Sequence, residues 1–180
     1  MNNKQSQSTK LAKMAMLVAI SIVLVYLIHF PIFPAVAFLE YDPADIPILI
    51  GTFAFGPAAG ILLTVVTSVL QGLTVSAQSG LYGILMHVIA TSVLSVTAGL
   101  IYRKNKTKKG AVIALVAGTL AMVVVMGCAN LVITPLFMGV TVDVVITLMP
   151  FILAFNAVKA GINSVVTFIL YKRISPFLHR

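Results

Sequence analysis

Long apolar stretches broken by short polar segments make up most of this sequence, and their lengths predict membrane-spanning helices. A helix needs about 20 apolar residues to cross roughly 30 Å of hydrocarbon. The stretches 11–30, 81–102, 111–137 and 148–171 meet that length. A fifth stretch, Ile46 to Thr74, is too long for one ordinary span and too short for two full ones, and Gly56-Pro57 interrupts it. The first stretch follows a basic start, as a signal peptide would. It runs on to about Phe30 without a small-residue cleavage site, so it is expected to stay as the first helix.

Charge placement decides how 46–74 is read. As one helix it gives five spans, and puts Arg103, Lys104, Lys106, Lys108 and Lys109 across the membrane from Lys4, Lys10 and Lys13. With a turn at Phe55-Gly56-Pro57 there are six spans. Lys4, Lys10, Lys13, the 103–109 cluster, Lys172, Arg173 and Arg180 then share one side, which is 11 of the 12 basic residues. All four acids, Glu40, Asp42, Asp45 and Asp143, fall in external loops. Because Lys and Arg gather on cytoplasmic segments, this sorting selects six helices with both termini inside.

The six-helix reading makes helix 2, about 46–55, too short to cross alone. The segment from Pro31 to Asp45, with prolines at its start and Pro43 and Pro47 at its end, opposes a regular helix and must dip inward to meet it. Non-helical backbone survives at membrane depth only inside protein or around a cavity. A short, broken hydrophobic segment is therefore a pointer to a binding cavity. No internal repeat or low-complexity region interrupts the pattern.

Composition agrees with an all-α integral membrane protein. Hydrophobic residues make up 60 % of the 180 and charged residues 9 %, against about a quarter charged in a soluble domain. The length suits one domain. The net charge of +8 could suggest nucleic-acid binding, but the basic residues lie in short clusters between apolar runs. No zinc, helix-turn-helix or RNA-binding aromatic signature accompanies them, so no nucleic-acid partner is expected. Cys128 is the sole cysteine and reads as a buried thiol.

A few polar residues inside the apolar runs need an explanation. Asn156, Lys159 and Asn163 sit at i, i+3 and i+7, so they share one helix face. Lys159 is the basic residue left out of the cytoplasmic clusters, and a lysine at depth costs at least ~2.5 kcal/mol, so it should face the interior and have a partner. A ligand contact near the outer leaflet is one reading; a packing patch or a snorkelling lysine is the other. Asn130 is either interhelical glue or a ligand contact. Neutral amides with one cation suit a ligand rich in donors and acceptors and carrying little charge. His87 reads as an interior histidine rather than a metal ligand, and Gln71 and Gln78 as ordinary loop-flanking polar residues. The stripe Ala12, Ala15, Ala19 allows close helix approach, within the bundle or on another subunit.

Catalytic signatures such as a Walker A loop, a Ser/His/Asp set or H-E-x-x-H are missing from the sequence. No chain of intramembrane acids runs through the helices to carry protons or sodium. The reading is a binder that does not supply its own energy. A small membrane enzyme acting on lipids would need a carboxylate or nucleophile cluster in the helices, where Asp143 is the one acid after Asp45.

Two segments carry a family resemblance: LEYDPADIPILIGTFAFGP at 39–57 and NAVKAGINSVVTFILYKR at 156–173. Both are similar to the riboflavin-specific S components of energy-coupling factor (ECF) transporters. The resemblance extends over the whole chain in size, helix number, orientation and a structured first external loop. It implies that residues 1–180 form a single transmembrane substrate-binding domain in a bacterial cytoplasmic membrane, multi-pass and surrounded by lipid. The domain would capture riboflavin as transported ligand, with no cofactor, in an outward-facing cavity. Uptake would be driven by a separate transmembrane coupling subunit and two cytoplasmic ATPase subunits.

The resemblance further implies docking on the coupling subunit through Ala15 and Ala19, which match the family's A-x-x-x-A motif. It implies ligand contacts from the first external loop and helices 5 and 6, at Glu40, Tyr41, Asn130, Asn156 and Lys159. Asn163, on the same face, and Gln78 complete the candidate set. Phe38, Leu39 and Tyr41 offer walls for a flat isoalloxazine ring, an Asn amide can pair with its pyrimidine-dione edge, and Lys159 can meet ribityl hydroxyls. A single lysine fits neutral riboflavin better than its phosphate, FMN; another small vitamin is the alternative within the class. Nickel- and cobalt-specific relatives carry a metal-binding N-terminus, whereas Met1, Asn2, Asn3 lacks histidine.

Overall fold

The computed structural model describes the backbone of residues 7–178 and side chains to residue 174. Met1–Asn3, Lys4 and Arg180, which entered the charge and metal arguments, lie outside the described residues. Among the described residues six α-helices follow one another: α1 (Gln7–Leu27), α2 (Asp45–Phe55), α3 (Pro57–Leu73), α4 (Gly80–Lys104), α5 (Lys108–Met138) and α6 (Val142–Leu178). Four segments, Gln7–Leu27, Ala77–Lys104, Lys108–Met138 and Val142–Ile174, are long and apolar enough to cross a membrane; α2 and α3 are shorter. The first helix ends three residues before the expected Phe30, and α6 starts six residues before the expected 148.

The interruption at Gly56 is real. Its φ of 96° and ψ of 171° lie where a side chain is rarely tolerated, and Pro57 opens α3 where a missing N–H does no harm. The chain therefore makes two helices across 45–73. At ~1.5 Å per residue, the 11 residues of α2 extend only ~16 Å. Residues Asp45 to Phe53 are all buried, because α2 packs against α1, α3, α4 and α6 together. It is the central post of the bundle, which its uninterrupted apolar run allows.

The segment before α2 dips inward, as the shortness of α2 requires, and is non-helical over most of its length, as its prolines favour. Phe30–Pro31 pairs antiparallel with Glu40–Tyr41, forming strands β1 and β2, with a 3₁₀ turn at Pro34–Val36 between them. Val36 is fully buried in a small cluster with Val145 and Ile152 of α6. At the other end, Phe53, Tyr102 and Tyr171 form a ring cluster with centroids 4.3 to 5.7 Å apart, locking α2, α4 and α6 together. Lys10 Nζ lies 5.9 Å from the Phe55 ring centre, and Arg103 and Lys106 line a cavity with Phe55 and Gly56. These three cations thus share one end of the bundle.

Two burial expectations for helical residues fail. Cys128 is exposed on the outer face of α5, in line with exposed Val124 and Val132 one turn either side. A helix bordering lipid is apolar all round, so composition alone does not mark its inward face. Gln71 is buried at 7 % exposure rather than flanking a loop.

Candidate ligand-binding site

A cleft opens at the end of the bundle remote from Lys10, Arg103 and Lys106. The space between its walls, with the open mouth and the solvent in it counted, is about 730 Å³. Phe38, Leu39 and Glu40 come from the loop, Gln71 from α3, His87 and Met86 from α4, Met122 and Met126 from α5, and Phe155, Asn156 and Lys159 from α6.

The α6 face is built as its spacing requires. Asn156, Lys159 and Asn163 are exposed by only 3 %, 7 % and 0 %. Asn156 Nδ2 donates to the Ile152 carbonyl one turn back (2.8 Å), which fixes the side chain and leaves its oxygen for the cleft. Lys159 Nζ donates to Asp42 Oδ2 at 2.7 Å, the partner that a lysine at depth demands. Asn163 does not line the cleft. It accepts from the Tyr41 hydroxyl (3.1 Å) and donates to the Asp42 carbonyl (3.1 Å) and Asp45 Oδ2 (3.0 Å), fastening the loop to α6.

The acids Asp42 and Asp45, read from the sequence as external, are buried at 3 % and 0 % exposure. Asp42 Oδ1 accepts from Ala44 N (3.0 Å), closing a tight local turn, and Oδ2 also accepts from Gln71 Nε2 (3.3 Å). Burial alone would raise the Asp42 carboxyl. The Lys159 ammonium outweighs that, helped by His87 and the Ala44 N–H, and holds the group well below the usual carboxylate range. Asp45 Oδ1 accepts from Thr91 Oγ1 (2.6 Å) and lies 3.7 Å from His87 Nε2. Burial pushes the Tyr41 phenol up, keeping it a neutral donor to Asn163. Ser21 Oγ completes the anchoring by donating to the Ala44 carbonyl (3.1 Å).

At the mouth, His29 Nε2 and Glu40 Oε2 lie 2.5 Å apart, joining the end of α1 to β2. His87 is an interior histidine, its Nδ1 2.7 Å from Ser68 Oγ. No group of three metal-ligating side chains gathers among the described residues.

Of the candidate contacts, Phe38, Leu39, Glu40, Asn156 and Lys159 line the cleft. Four do not. The Tyr41 ring turns inward beside Phe30, centroids 5.5 Å apart. Asn130 is satisfied within α5, donating to Met126 O and accepting from Thr134 Oγ1, both at 2.7 Å, as an amide does when its own helix supplies partners. Gln78 is exposed in a 3₁₀ turn, and Asn163 serves as the loop fastener. Sequence reasoning missed Asp42, Gln71, Phe155 and the methionines. The signal for Asp42 was available, since a buried lysine calls for a carboxylate and the chain has four acids. The apolar wall carries no such mark.

Ala12, Ala15 and Ala19 are exposed, while Met14, Leu17, Ser21 and Val25 form the buried face of α1. The alanine stripe is therefore directed away from the bundle.

The family model for the substrate-specific component of ECF transporters matches residues 9–171. The chain is 30 % identical to "Riboflavin transporter RibU" of Staphylococcus aureus (strain TCH60), covering 97 % of this chain and 94 % of that protein. It is 28 % identical to "Riboflavin transporter FmnP" of Bacillus subtilis (strain 168), over 95 % and 94 % of the two chains. A solved structure of the S component of a bacterial ECF transporter superposes with a TM-score of 0.85 at 30 % identity. It covers 97 % of this chain and 100 % of the other.

Proposed function

The chain belongs to the substrate-specific components of ECF transporters, and from that premise we propose that it captures riboflavin in the cleft between the 28–44 loop and α3 to α6. It is a subunit of a membrane transporter, not an enzyme. The observation that carries the ligand assignment is the cleft itself: aromatic and methionine walls from Phe38, Phe155, Met86, Met122 and Met126, with the Asn156 amide and the Lys159–Asp42 pair at its polar side. A flat heterocycle with a hydroxylated tail needs that combination, apolar walls for the ring and donors and acceptors for its edge and tail. The relatives' names as riboflavin transporters support the same choice.

Both termini are proposed to be cytoplasmic, with the cleft outward. The gathering of Lys10, Arg103 and Lys106 at one end supports this through the bias of cations toward the cytoplasm. Ala15 and Ala19 are the proposed contact with a transmembrane coupling subunit, and two ATPase subunits would supply the energy. Purified protein should quench added riboflavin fluorescence with one-to-one stoichiometry. No quenching at micromolar riboflavin would end the proposal. A thermal-shift panel of other small vitamins tests the alternative ligand, since a bound ligand raises apparent stability.

A further inference from the structure

We infer that Asp42 sets the charge selectivity of the cleft, cancelling Lys159 so that the site accepts a neutral ligand and rejects its phosphate ester. The inference rests on the flavin reading above and adds to it the residue that discriminates between two flavins.

Lys159 is the one lysine or arginine among the residues lining the cleft, and its ammonium is already bonded to Asp42 Oδ2 at 2.7 Å. A second carboxylate, Asp45, is fully buried behind His87, with Oδ1 3.7 Å from Nε2. A third, Glu40, stands at the mouth against His29. A phosphate dianion entering here meets the carboxylates of Asp42 and Glu40, a third behind His87, and a cation that is already paired. It would also lose its hydration, and a desolvated anion without a free cation is strongly disfavoured. A ligand of hydroxyls and ring amides meets no such obstacle. Selectivity of this kind works by penalising the competitor rather than by adding contacts to the preferred ligand.

Gln71 sharpens the point. Its Nε2 donates to the same Asp42 oxygen at 3.3 Å, so Asp42 holds a neutral amide on one side and the ammonium on the other. A lysine at position 71 would stand beside the same carboxylate, and would leave the cleft with one uncompensated positive charge without removing Asp42.

The test measures dissociation constants for riboflavin and FMN by fluorescence quenching in the full-length wild type, Asp42→Asn and Gln71→Lys. Wild type should prefer riboflavin by roughly tenfold or more. Each variant should move the ratio toward FMN by at least roughly tenfold, because charge pairs of this proximity carry couplings of that order or greater. The double variant Asp42→Asn/Lys159→Gln, neutral again, should return the ratio toward wild type. Equal wild-type affinities would overturn the inference, as would riboflavin binding with an unchanged ratio in either variant that folds. Absence of riboflavin binding by wild type would instead overturn the flavin reading itself.

Discussion

Lys159 Nζ and Asp42 Oδ2 stand 2.7 Å apart across 117 residues of sequence, and this contact joins the non-helical loop to α6 at the wall of the cleft. Both groups are buried. Neither could remain charged there alone, so each exists in its place because of the other.

Removing one partner should therefore do more harm than removing both. Lys159→Met is expected to destabilise the ligand-free protein by roughly 3–5 kcal/mol, since it strands a buried carboxylate. Adding Asp42→Asn to it should restore part of that loss. Melting temperatures of the detergent-solubilised single and double variants check this, and a double variant no more stable than Lys159→Met would count against the pair.

The same contact gives acid sensitivity a sign. The folded Asp42 carboxyl lies below its ordinary range, held there against burial by Lys159. Its contribution is thus fully present above the unfolded carboxylate value of ~3.9 and is lost as pH falls through the folded value. Melting scans from pH 7 down to 3 should show the wild-type advantage over Asp42→Asn constant near neutrality and shrinking below about pH 4. A gap that widens on acidification would contradict the assignment.

Asn163 and Asn130 are both fully buried, yet their truncation should differ. Asn163 bonds Tyr41, the Asp42 carbonyl and Asp45 from another part of the chain, whereas the bonds of Asn130 stay within α5. Asn163→Ala strands several buried partners, each worth roughly 1–3 kcal/mol, and should lower the melting temperature well beyond Asn130→Ala. Riboflavin binding should also fall in Asn163→Ala, through the loosened loop. Equal effects of the two substitutions would mean that the loop is held by other contacts.

How much of this was legible in the sequence follows from what each signal measures. Length located the four long apolar helices, and Gly56-Pro57 located the break, because helix length and backbone chirality are local properties. The Asn156, Lys159 and Asn163 face was legible from spacing. Which of the three line the cleft was not, since that depends on where residues 41–45, more than 100 positions away, come to rest. Asp42 and Asp45 looked external because a loop between helices ordinarily is; here the short α2 draws the loop inward. Cys128, expected to be a buried thiol, is exposed for a plain reason. In a helix apolar on every side, no pattern separates the lipid face from the core.

The alanine stripe yields the last prediction. Ala15 and Ala19 are exposed on α1, opposite the face that buries Met14, Leu17 and Val25. Small residues one turn apart let another helix approach closely, and nothing of the cleft touches them, since its nearest α1-side residue is His29, beyond the helix end. Enlarging either to tryptophan adds bulk toward the outside without entering the core. Ala15→Trp and Ala19→Trp should therefore keep riboflavin affinity within about twofold of wild type, well under the tenfold that corresponds to 1.4 kcal/mol. Uptake in cells or vesicles that also contain the coupling and ATPase subunits should be abolished. Lost riboflavin binding would show that the stripe supports the fold from within, and unimpaired uptake would place the docking face on another helix.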